Sequence, residues 1–399
     1  MKKFTNFKLN MYTDILFGKG TASKVAQKVR QHGGSKVMLV YGEGSIKKSG
    51  LFDIVTGALN SEGIPYVEFG GVRANPYRSE AYKALELAKK ENVDFLLGVG
   101  GGSVIDTAKA IAIGLDYEGD IWDFYSGKAV PKSMRSVGAV NTIAAAGSET
   151  SGSTVLVDDM GLKQKKGMMY PDVLRPKFAI MDPELTYSVP AYQTAAGAVD
   201  IFSHTFERFF VDSASFLGDE FAAGVLRTVV KYAPVAIEKP DDYEARAELM
   251  LAASMSHNDI TGIGRSGQAM QVHGMEMYLS GHYDNAHGAG LSMLMPAWLD
   301  YVVQNGGNER LGRIAQFAVM VFGVQPDMQD TKGVALEGIR RFRAWLKSIG
   351  MPLSFADLGI PAEDIPEMVK FCRCNDEGIL KGFLDLDKKA VEDIYRSLA

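Results

Sequence analysis

The chain has 399 residues, of which 46% are hydrophobic, and it carries a formal net charge of -5 with a pI near 5.8. A chain of this length usually exceeds what one compact core can organise, so we expect two domains. Acidic and basic residues are interspersed, which excludes a basic patch for nucleic acid. No segment has the apolar run of a signal peptide or the roughly 20 apolar residues that cross a bilayer. These features predict a cytoplasmic protein with neither nucleic acid nor membrane as a partner.

The first half of the chain alternates short β-branched runs with helical patterns. Such runs lie at Lys36–Tyr41, Pro65–Phe69 and Asp94–Val99, and between them Ser79–Glu91 places apolar residues at helical spacing. This alternation is typical of βαβ units around a parallel sheet. It predicts an α/β, Rossmann-like domain over residues 1–188.

The strand patterns fade after about Pro190, and the rest of the chain predicts successive helices. A connection without clear periodicity, Asp182–Pro190, contains two prolines and separates the two halves. We therefore expect an all-α domain over residues 189–399. Its main predicted helices are Ala191–Phe210, Ser215–Ala233, Tyr243–Asp259, Asn308–Phe322 and Lys332–Ile349.

A glycine-rich loop follows the third of these strand patterns. Leu96–Asp106 reads LLGVGGGSVID, an apolar strand that runs into three glycines, a serine and a helix. Glycines allow backbone N–H groups to approach a ligand closely, and a helix N-terminus carries partial positive charge. Gly101, Gly102 and Ser103 are the predicted contacts of a dinucleotide pyrophosphate. A plain turn between strand and helix is the alternative, since the spacing differs from G-x-G-x-x-G.

An earlier strand ends in the segment from Tyr41 to Lys48, YGEGSIKK, where a doubly wound sheet would place the adenosine ribose. Ser45 and the two lysines at 47 and 48 favour a ribose 2′-phosphate, whereas Glu43 repels one and suits ribose hydroxyls. The alternative is that the lysines only solvate a helix start.

Three histidines and an aspartate form two clusters of telling spacing. Asp200 and His204 lie four residues apart in a helical pattern, so both side chains project from one face. His273 and His287 flank a polar break that allows the chain to turn back. Three neutral imidazoles and one carboxylate leave a divalent cation positively charged, which suits it to polarise a carbonyl. Spacing does not separate Fe²⁺ from Zn²⁺.

The other histidines and the cysteines have ordinary interpretations. His32 lies in a polar turn, and neither His257 nor His282 has a second candidate metal ligand at a characteristic spacing. Of the three, only His282 is kept as a minor candidate for a functional role. Cys372 and Cys374 are too few for a cysteine metal site.

Several ordered motifs resemble the iron-containing alcohol dehydrogenases along nearly the whole chain. They are Gly100–Lys109 (GGGSVIDTAK), Gly147-Ser148-Glu149, Asp182-Pro183, Gly197–His204 and the pair His273 and His287. The NAD(P)H-dependent butanol dehydrogenase branch is the most similar, through Tyr41–Gly50, Tyr117–Trp122, Glu238–Arg246 and His287–Trp298. The resemblance implies an N-terminal dinucleotide-binding domain and a C-terminal helical metal-binding domain.

The resemblance also implies roles for individual residues. Asp200, His204, His273 and His287 match the metal ligands and would act in catalysis through the metal. The implied cofactor-binding residues are Gly42, Ser45, Gly101, Gly102, Ser103, Asp106, Thr142 and Lys166. The implied function is hydride transfer between NAD(P)(H) and a small, primary aliphatic alcohol or aldehyde such as butanol or butanal. A homodimer is implied as well.

Two positions depart from the family pattern. Met277 stands where the family commonly has a second histidine, often credited with proton relay, so the proton of the alkoxide would come from water, a cofactor ribose hydroxyl or His282. Glu43 replaces the glycine usual in this branch, which leaves only a small preference for NADP over NAD.

Two other functions fit parts of the sequence. A non-catalytic member that binds nucleotide and metal would explain Met277, although the ligand spacing and the glycine loop are intact. A cyclase similar to dehydroquinate synthase would share the architecture, but it needs a basic pocket for its phosphorylated substrate. The sequence near the ligands is instead rich in Met and Tyr, including Met275 and Met277, which suits a small apolar substrate.

Overall fold

The computed structural model describes residues 4–213, 215–265 and 270–399. Six strands form one parallel sheet in the order β1-β8-β5-β4-β2-β3, and β6 and β7 form a separate antiparallel pair. The strands are β1 (Asp14–Phe17), β2 (Val37–Gly42), β3 (Tyr66–Val72), β4 (Phe95–Gly100), β5 (Ser136–Asn141), β6 (Ser153–Val157), β7 (Lys165–Met169) and β8 (Phe178–Met181).

Most of the helices after β8 are longer than any helix before it. They are α1 (Val25–Gln31), α2 (Ser45–Lys48), α3 (Leu51–Ser61), α4 (Arg78–Lys90), α5 (Gly102–Leu115), α6 (Trp122–Tyr125), α7 (Pro171–Leu174), α8 (Ala191–Phe209), α9 (Phe216–Glu238), α10 (Tyr243–His257), α11 (Gln271–Tyr283), α12 (His287–Asn305), α13 (Gly307–Phe322), α14 (Thr331–Ser348), α15 (Ile365–Phe371) and α16 (Lys388–Arg396). In the ranges that the structure describes, no helix combines the length and the apolar character needed to span a membrane.

The parallel sheet is covered by helices on both faces. Met38 and Leu96 on the central strands β2 and β4 pack in one buried cluster with α4 and α5. Their neighbours Val37, Leu39 and Phe95 point the other way and pack with α1 and α3. Side chains alternate across a strand, so strands covered on both faces are apolar throughout. The predicted α/β, Rossmann-like architecture followed by helices is confirmed.

The predicted elements agree with those observed where the pattern is long or strongly apolar. The three predicted strands overlap β2, β3 and β4, the predicted helix Ser79–Glu91 overlaps α4, and all five helices predicted after Pro190 are present. Strands β1, β5 and β8 and the antiparallel pair of β6 and β7 were not among the predicted strands.

The contacts within the chain divide it into two compact units. The α/β unit spans Asn10–Val189 and Pro240–Asn258, while Pro190–Lys239 and Asp259–Ala399 form most of the helical unit. Helix α10 therefore belongs to the α/β unit, although the sequence predicts it in the helical domain. A Cβ on Gly147, in the loop between β5 and β6, would lie 2.4 Å from the Ala253 carbonyl oxygen of α10. Helix α10 therefore packs directly on this loop of the α/β unit. A domain division between residues 188 and 189 stays a prediction.

Helix α8 lies at the centre of the helical unit and is buried along most of its length. Phe202 stacks on Phe342 with ring centroids 4.8 Å apart, and Phe206 meets Phe317 edge to face at 5.7 Å. Trp298 of α12 also packs against Phe206 at 5.7 Å. Aromatic pairs of this geometry contribute beyond the apolar area they bury. The cluster fixes α8 relative to α12, α13 and α14.

The start of helix α12 is pressed against α8. A Cβ added to Gly288 would lie 1.9 Å from the Ala196 carbonyl oxygen, so Gly288→Ala must push the two helices apart. We expect this substitution to lower the free energy of unfolding by about 2 kcal/mol. Gly224→Ala in α9 is the matched control, because a Cβ there meets no atom within 4 Å, and alanine favours the helix by about 1 kcal/mol. Chemical denaturation of both variants checks this, and equal stabilities would contradict the close packing.

Candidate metal centre and dinucleotide site

Four predicted metal ligands come together in the helical unit. Asp200 Oδ1 lies 3.8 Å from His204 Nδ1, 4.0 Å from His273 Nε2 and 4.0 Å from His287 Nε2. Two atoms that bind one ion at about 2.1 Å are at most about 4.2 Å apart, so each pair with Asp200 can share an ion. The candidate ligand atoms of Asp200, His204 and His273 lie within 4.8 Å of one another. His287 is outside this compact group of three, although its Nε2 approaches Asp200 Oδ1.

Three helices supply these four side chains. Asp200 and His204 share one face of α8, since positions four apart in a helix lie on the same side. Phe202 and Phe206 each follow them by two residues, which places the aromatic cluster on the opposite face. His273 is in the first turn of α11, and His287 is the first residue of α12. Between these helices the chain turns through Asp284, which has a left-handed backbone with φ 54°. This turn is the polar break that the sequence indicates.

The cluster is largely buried, which strengthens electrostatic interactions within it. Asp200 and His204 are each 6% exposed. The rings of His204 and His273 stack with centroids 4.8 Å apart. His273 Nε2 is buried and has no hydrogen-bond partner among the described residues. A buried ring nitrogen that faces a carboxylate oxygen and lacks a hydrogen bond fits a ligand of a cation.

Two glutamates that the sequence analysis missed lie against the ligand histidines. The Glu207 carboxylate contacts Nδ1 of His273, and the Glu276 carboxylate contacts Nδ1 of His287. Both glutamates are buried. Glu207 follows His204 by three residues and Glu276 follows His273 by three. That helical spacing was the sequence signal that could have identified them.

Met277, which replaces the histidine of the family pattern, and His282, considered as a proton donor, differ in position. Met277 is half-buried one turn after His273 on the same face of α11. His282 is exposed and follows His273 by nine residues, which places it on the opposite side of the helix. Its ring stacks on Tyr278 with centroids 5.0 Å apart. Met275 is fully buried and belongs to the core.

In the α/β unit, the glycine loop joins β4 to α5 as the sequence predicts. A Cβ on Gly101 would lie 2.6 Å from Ile143 Cγ2, and one on Gly102 would lie 3.3 Å from Ala146 Cβ. The tight space at Gly101 excludes a larger residue. No side chain caps the N-terminus of the 14-residue helix α5, and such a terminus attracts phosphate. The Ser103 hydroxyl donates to the Ala74 carbonyl oxygen.

Gly42, Ser45 and Thr142 lie at or just after the carboxyl ends of β2 and β5, whereas Lys166 lies on β7, outside the parallel sheet. Thr142 directly follows β5, and its amide donates to the Gly100 carbonyl oxygen at 3.2 Å. Gly42 is the last residue of β2, and Ser45 is exposed at the start of α2. Lys166 lies on β7 with Nζ 5.9 Å from the centroid of the Trp122 ring. In open α/β sheets this edge is where ligands bind.

The side chain of Lys47 is held by its neighbours. Its Nζ lies 4.5 Å from the centroid of the Phe52 ring and 4.9 Å from that of Tyr41. It also lies 3.5 Å from Glu68 Oε2, a carboxylate that accepts a hydrogen bond from the Tyr41 hydroxyl at 2.8 Å. Cation–π contacts and an ion pair therefore occupy this ammonium group. Glu43, by contrast, is exposed.

Asp106 faces a buried loop. Its Oδ1 accepts from the Ser148 hydroxyl, and its Oδ2 accepts from the Val155 amide at 3.0 Å. Burial raises the pKa of Asp106, while the nearby Lys109 ammonium opposes that rise. A cofactor contact by Asp106 stays a prediction.

Lys109 is a fully buried cation that the sequence analysis did not single out. Its Nζ donates to three carbonyl oxygens, those of Ser148 at 2.7 Å, Ser151 at 3.1 Å and Ser153 at 2.8 Å. Burial lowers the pKa of Lys109 to about 8, although Asp106 and then Glu149 act in the opposite direction. Lys109 thus ties α5 to the loop that begins with Gly147-Ser148-Glu149.

Comparison with known proteins gives matches along nearly the whole chain. The family model for iron-containing alcohol dehydrogenase matches residues 13–183, and that for the Fe-containing alcohol dehydrogenase family, C-terminal, matches residues 194–399. The chain is 35% identical to NADH-dependent butanol dehydrogenase A of Clostridium acetobutylicum, over 98% of this chain and 99% of that protein. It is 32% identical to the NADPH-dependent aldehyde reductase YqhD of Escherichia coli, over 92% of each.

A solved structure has the same fold. NADH-dependent butanol dehydrogenase A from Thermotoga maritima superposes with a TM-score of 0.93 at 40% identity, covering 99% of each chain. The fold is therefore that of a solved butanol dehydrogenase, and the similarity to alcohol dehydrogenases and aldehyde reductases extends along nearly the whole chain.

The lowered pKa of Lys109 predicts a pH dependence of stability. Above pH 8 the folded chain loses this proton, while the unfolded chain keeps it until about pH 10.4, so the unfolded state binds more protons and stability rises with pH. Lys109→Met lacks this titrating group. The difference in unfolding free energy between the wild type and Lys109→Met should therefore increase above pH 8, by at most about 1.4 kcal/mol per pH unit. Denaturant titrations from pH 7 to pH 9.5 measure this difference. A difference that is constant or falls would contradict the prediction.

Proposed function

Because the chain belongs to the iron-containing alcohol dehydrogenase family, we propose that Asp200, His204, His273 and His287 together hold one divalent metal ion. The protein is an NAD(P)-dependent, metal-dependent alcohol dehydrogenase and aldehyde reductase. The observation that carries the proposed ligand set is the convergence of three imidazole nitrogens on Asp200 Oδ1 within 4.0 Å. Imidazole nitrogen and carboxylate oxygen suit Fe²⁺ or Zn²⁺.

The residues named here would hold two cofactors that supply the chemistry the side chains lack: a bound dinucleotide would provide hydride transfer, and a bound metal ion would provide polarisation of the substrate oxygen. The protein holds and orients both. We propose that the cofactor-binding residues are those predicted from the sequence: Gly42, Ser45, Gly101, Gly102, Ser103, Asp106, Thr142 and Lys166. The uncapped N-terminus of α5, directly after the glycine loop, supports the pyrophosphate contact.

The substrate is proposed to be a small primary aliphatic alcohol or its aldehyde, with butanol and butanal as representatives. Relatives at 35% and 36% identity are named butanol dehydrogenases. Met277 adds an apolar side chain on the face of α11 that carries His273. An apolar wall beside a polarising centre favours a short alkyl chain over a charged substrate.

The proton required for aldehyde reduction is proposed to come from water or from a cofactor ribose hydroxyl. A thioether such as that of Met277 cannot carry a proton at neutral pH. His282 lies on the opposite side of α11 from His273, which argues against its role as donor.

For the dinucleotide, the positions of the side chains favour NADH over NADPH, against the small preference for NADP that the sequence suggests. The ammonium of Lys47 is already held by two rings and Glu68, so one of the three groups expected to favour a 2′-phosphate is engaged. Glu43 is exposed at the end of β2, and a carboxylate there repels a phosphate. The relatives include both NADH- and NADPH-dependent enzymes.

We also propose that the protein is a homodimer in the cytoplasm and that it does not bind nucleic acid. Light scattering of the purified protein measures the mass of the assembly, which should be twice that of the chain.

Removal of one ligand tests the metal centre. We expect His273→Ala to lose bound metal and at least about 100-fold in butanal reduction, because the ion both needs this nitrogen and polarises the substrate. The measurements are the metal content and the decrease in NADH absorbance with butanal, after loading with Fe²⁺ or Zn²⁺. His282→Ala on the same helix is the control and should retain both. An undiminished rate in His273→Ala would overturn the scheme, and no turnover by the metal-loaded wild type with any short aldehyde would favour a non-catalytic protein.

Replacement of Glu43 tests the cofactor preference. In Glu43→Gly the repulsion of a 2′-phosphate is removed, so the ratio of kcat/KM for NADPH to that for NADH should rise about tenfold, equivalent to about 1.4 kcal/mol. Glu62→Gly, another exposed glutamate of the α/β unit, should leave the ratio unchanged. Steady-state kinetics with both cofactors measure the ratio. If it is the same in Glu43→Gly and the wild type, Glu43 does not select the cofactor.

A further inference from the structure

Two buried carboxylates outside the ligand set form a repeated arrangement around the metal centre. Glu207 on α8 contacts Nδ1 of His273 on α11, and Glu276 on α11 contacts Nδ1 of His287 on α12. In both cases the opposite ring nitrogen, Nε2, lies 4.0 Å from Asp200 Oδ1. Each glutamate therefore contacts Nδ1 of a histidine whose Nε2 faces the metal site.

From this arrangement we infer that Glu207 and Glu276 are positioning residues that fix the ligating tautomer of His273 and His287 and so set the affinity for the metal ion. The inference rests on the proposed ligand set. A neutral imidazole carries one proton, and the Glu207 carboxylate accepts it from Nδ1 of His273 as a hydrogen bond, while the Glu276 carboxylate lies beside Nδ1 of His287 as its ion-pair partner. Nε2 is then left with its lone pair toward Asp200, as a metal ligand requires.

Glu207 also fixes the helix that carries His273. Its Oε1 accepts the Val272 amide at 2.6 Å, and its Oε2 accepts the His273 amide at 3.3 Å. These are N–H groups of the first turn of α11, which have no partners within their own helix. One carboxylate on α8 thus sets both the position of the backbone and the orientation of the ring of His273.

Glu276 lies in a buried space that a glycine of α12 leaves open. It is fully buried, and its Oε2 accepts from the Ser280 hydroxyl at 3.1 Å. A Cβ on Gly290 would lie 2.6 Å from Glu276 Oε1, so the glycine one turn after His287 leaves room for this carboxylate. The contacts run from helix to helix: α8 holds the histidine of α11, and α11 holds the histidine of α12.

The charges support the same role. Asp200, Glu207 and Glu276 bring three carboxylates into one buried region, which is unfavourable unless cationic charge is close. A divalent ion bound among the ligand atoms would offset most of this charge. The two glutamates therefore favour binding of the metal through both orientation and charge.

Glutamine substitutions separate orientation from packing. In Glu207→Gln the side chain keeps an oxygen for the Val272 amide, but its NH2 group faces Nδ1 of His273. An amide N–H that donates to Nδ1 places the ring proton on Nε2, where it blocks the metal. Glu276→Gln should act in the same way on His287.

The experiment uses the full-length protein stripped of metal. Competition with a chromophoric chelator measures the affinity for Zn²⁺, and visible absorption of the Co²⁺ form reports the ligand geometry. We expect each glutamine variant to bind Zn²⁺ about 10- to 100-fold more weakly and to show an altered Co²⁺ spectrum. Glu220→Gln, an exposed glutamate on α9, is the control and should match the wild type.

Thermal unfolding of the metal-free forms distinguishes positioning from a structural role. The metal-free variants should unfold at the wild-type temperature or above it, because glutamine removes one of the buried charges. Wild-type affinity and spectrum in both variants, or a loss of stability with unchanged affinity, would overturn the inference and leave the proposed ligands intact. Absence of Zn²⁺ and Co²⁺ binding by the wild type would instead overturn the proposed metal centre, and this inference with it.

Discussion

The convergence of three histidine rings on one oxygen of Asp200 depends on where helix α8 is held. One face of α8 is fixed by stacked and edge-to-face contacts of Phe202 and Phe206 with other aromatic rings. The opposite face carries Asp200, His204 and Glu207. Since a helix is rigid over one or two turns, the packing of the aromatic face sets the position of the polar face. Helix α8 therefore contributes one face to the core of the helical unit and the opposite face to the metal site.

The neighbouring helices are placed by contacts that also orient their ligands. Glu207 binds the first turn of α11, and Gly288 allows α12 to approach the backbone of α8. His273 and His287 lie in the first turns of these two helices, next to the contacts that hold them. An enzyme that polarises a substrate through a metal ion needs its ligands held in this way, because small displacements weaken binding.

In the α/β unit, the glycine loop is supported by a buried polar arrangement. Lys109 on α5 joins the carbonyl oxygens of Ser148, Ser151 and Ser153, and Asp106 on the same helix accepts from Ser148. A fully buried ammonium is tolerated because its donors are satisfied and two carboxylates are near. The helix whose N-terminus is the proposed pyrophosphate site is thus tied to the following loop.

Much of this could be predicted from the sequence because the relevant signals are local. The spacing of Asp200 and His204 places them on one helical face, and the run from Leu96 to Asp106 gives strand, loop and helix in order. Partners that are distant in sequence gave no such signal: the oxygens around Lys109 lie about 40 residues away, and the rings around Lys47 depend on how β2, α2 and α3 pack. Glu207 and Glu276 had local spacing to ligands, but carboxylates on buried helices are identified as partners only when the neighbouring helix is placed.

X-ray absorption spectroscopy at the metal edge of the Fe²⁺- or Zn²⁺-loaded enzyme tests the central claim most directly. Three imidazole nitrogens and one carboxylate oxygen predict nitrogen and oxygen scatterers at about 2.0–2.2 Å from the metal, with the multiple-scattering pattern of histidine rings. A sulfur scatterer at about 2.3 Å, or a shell without histidine rings, would contradict the account.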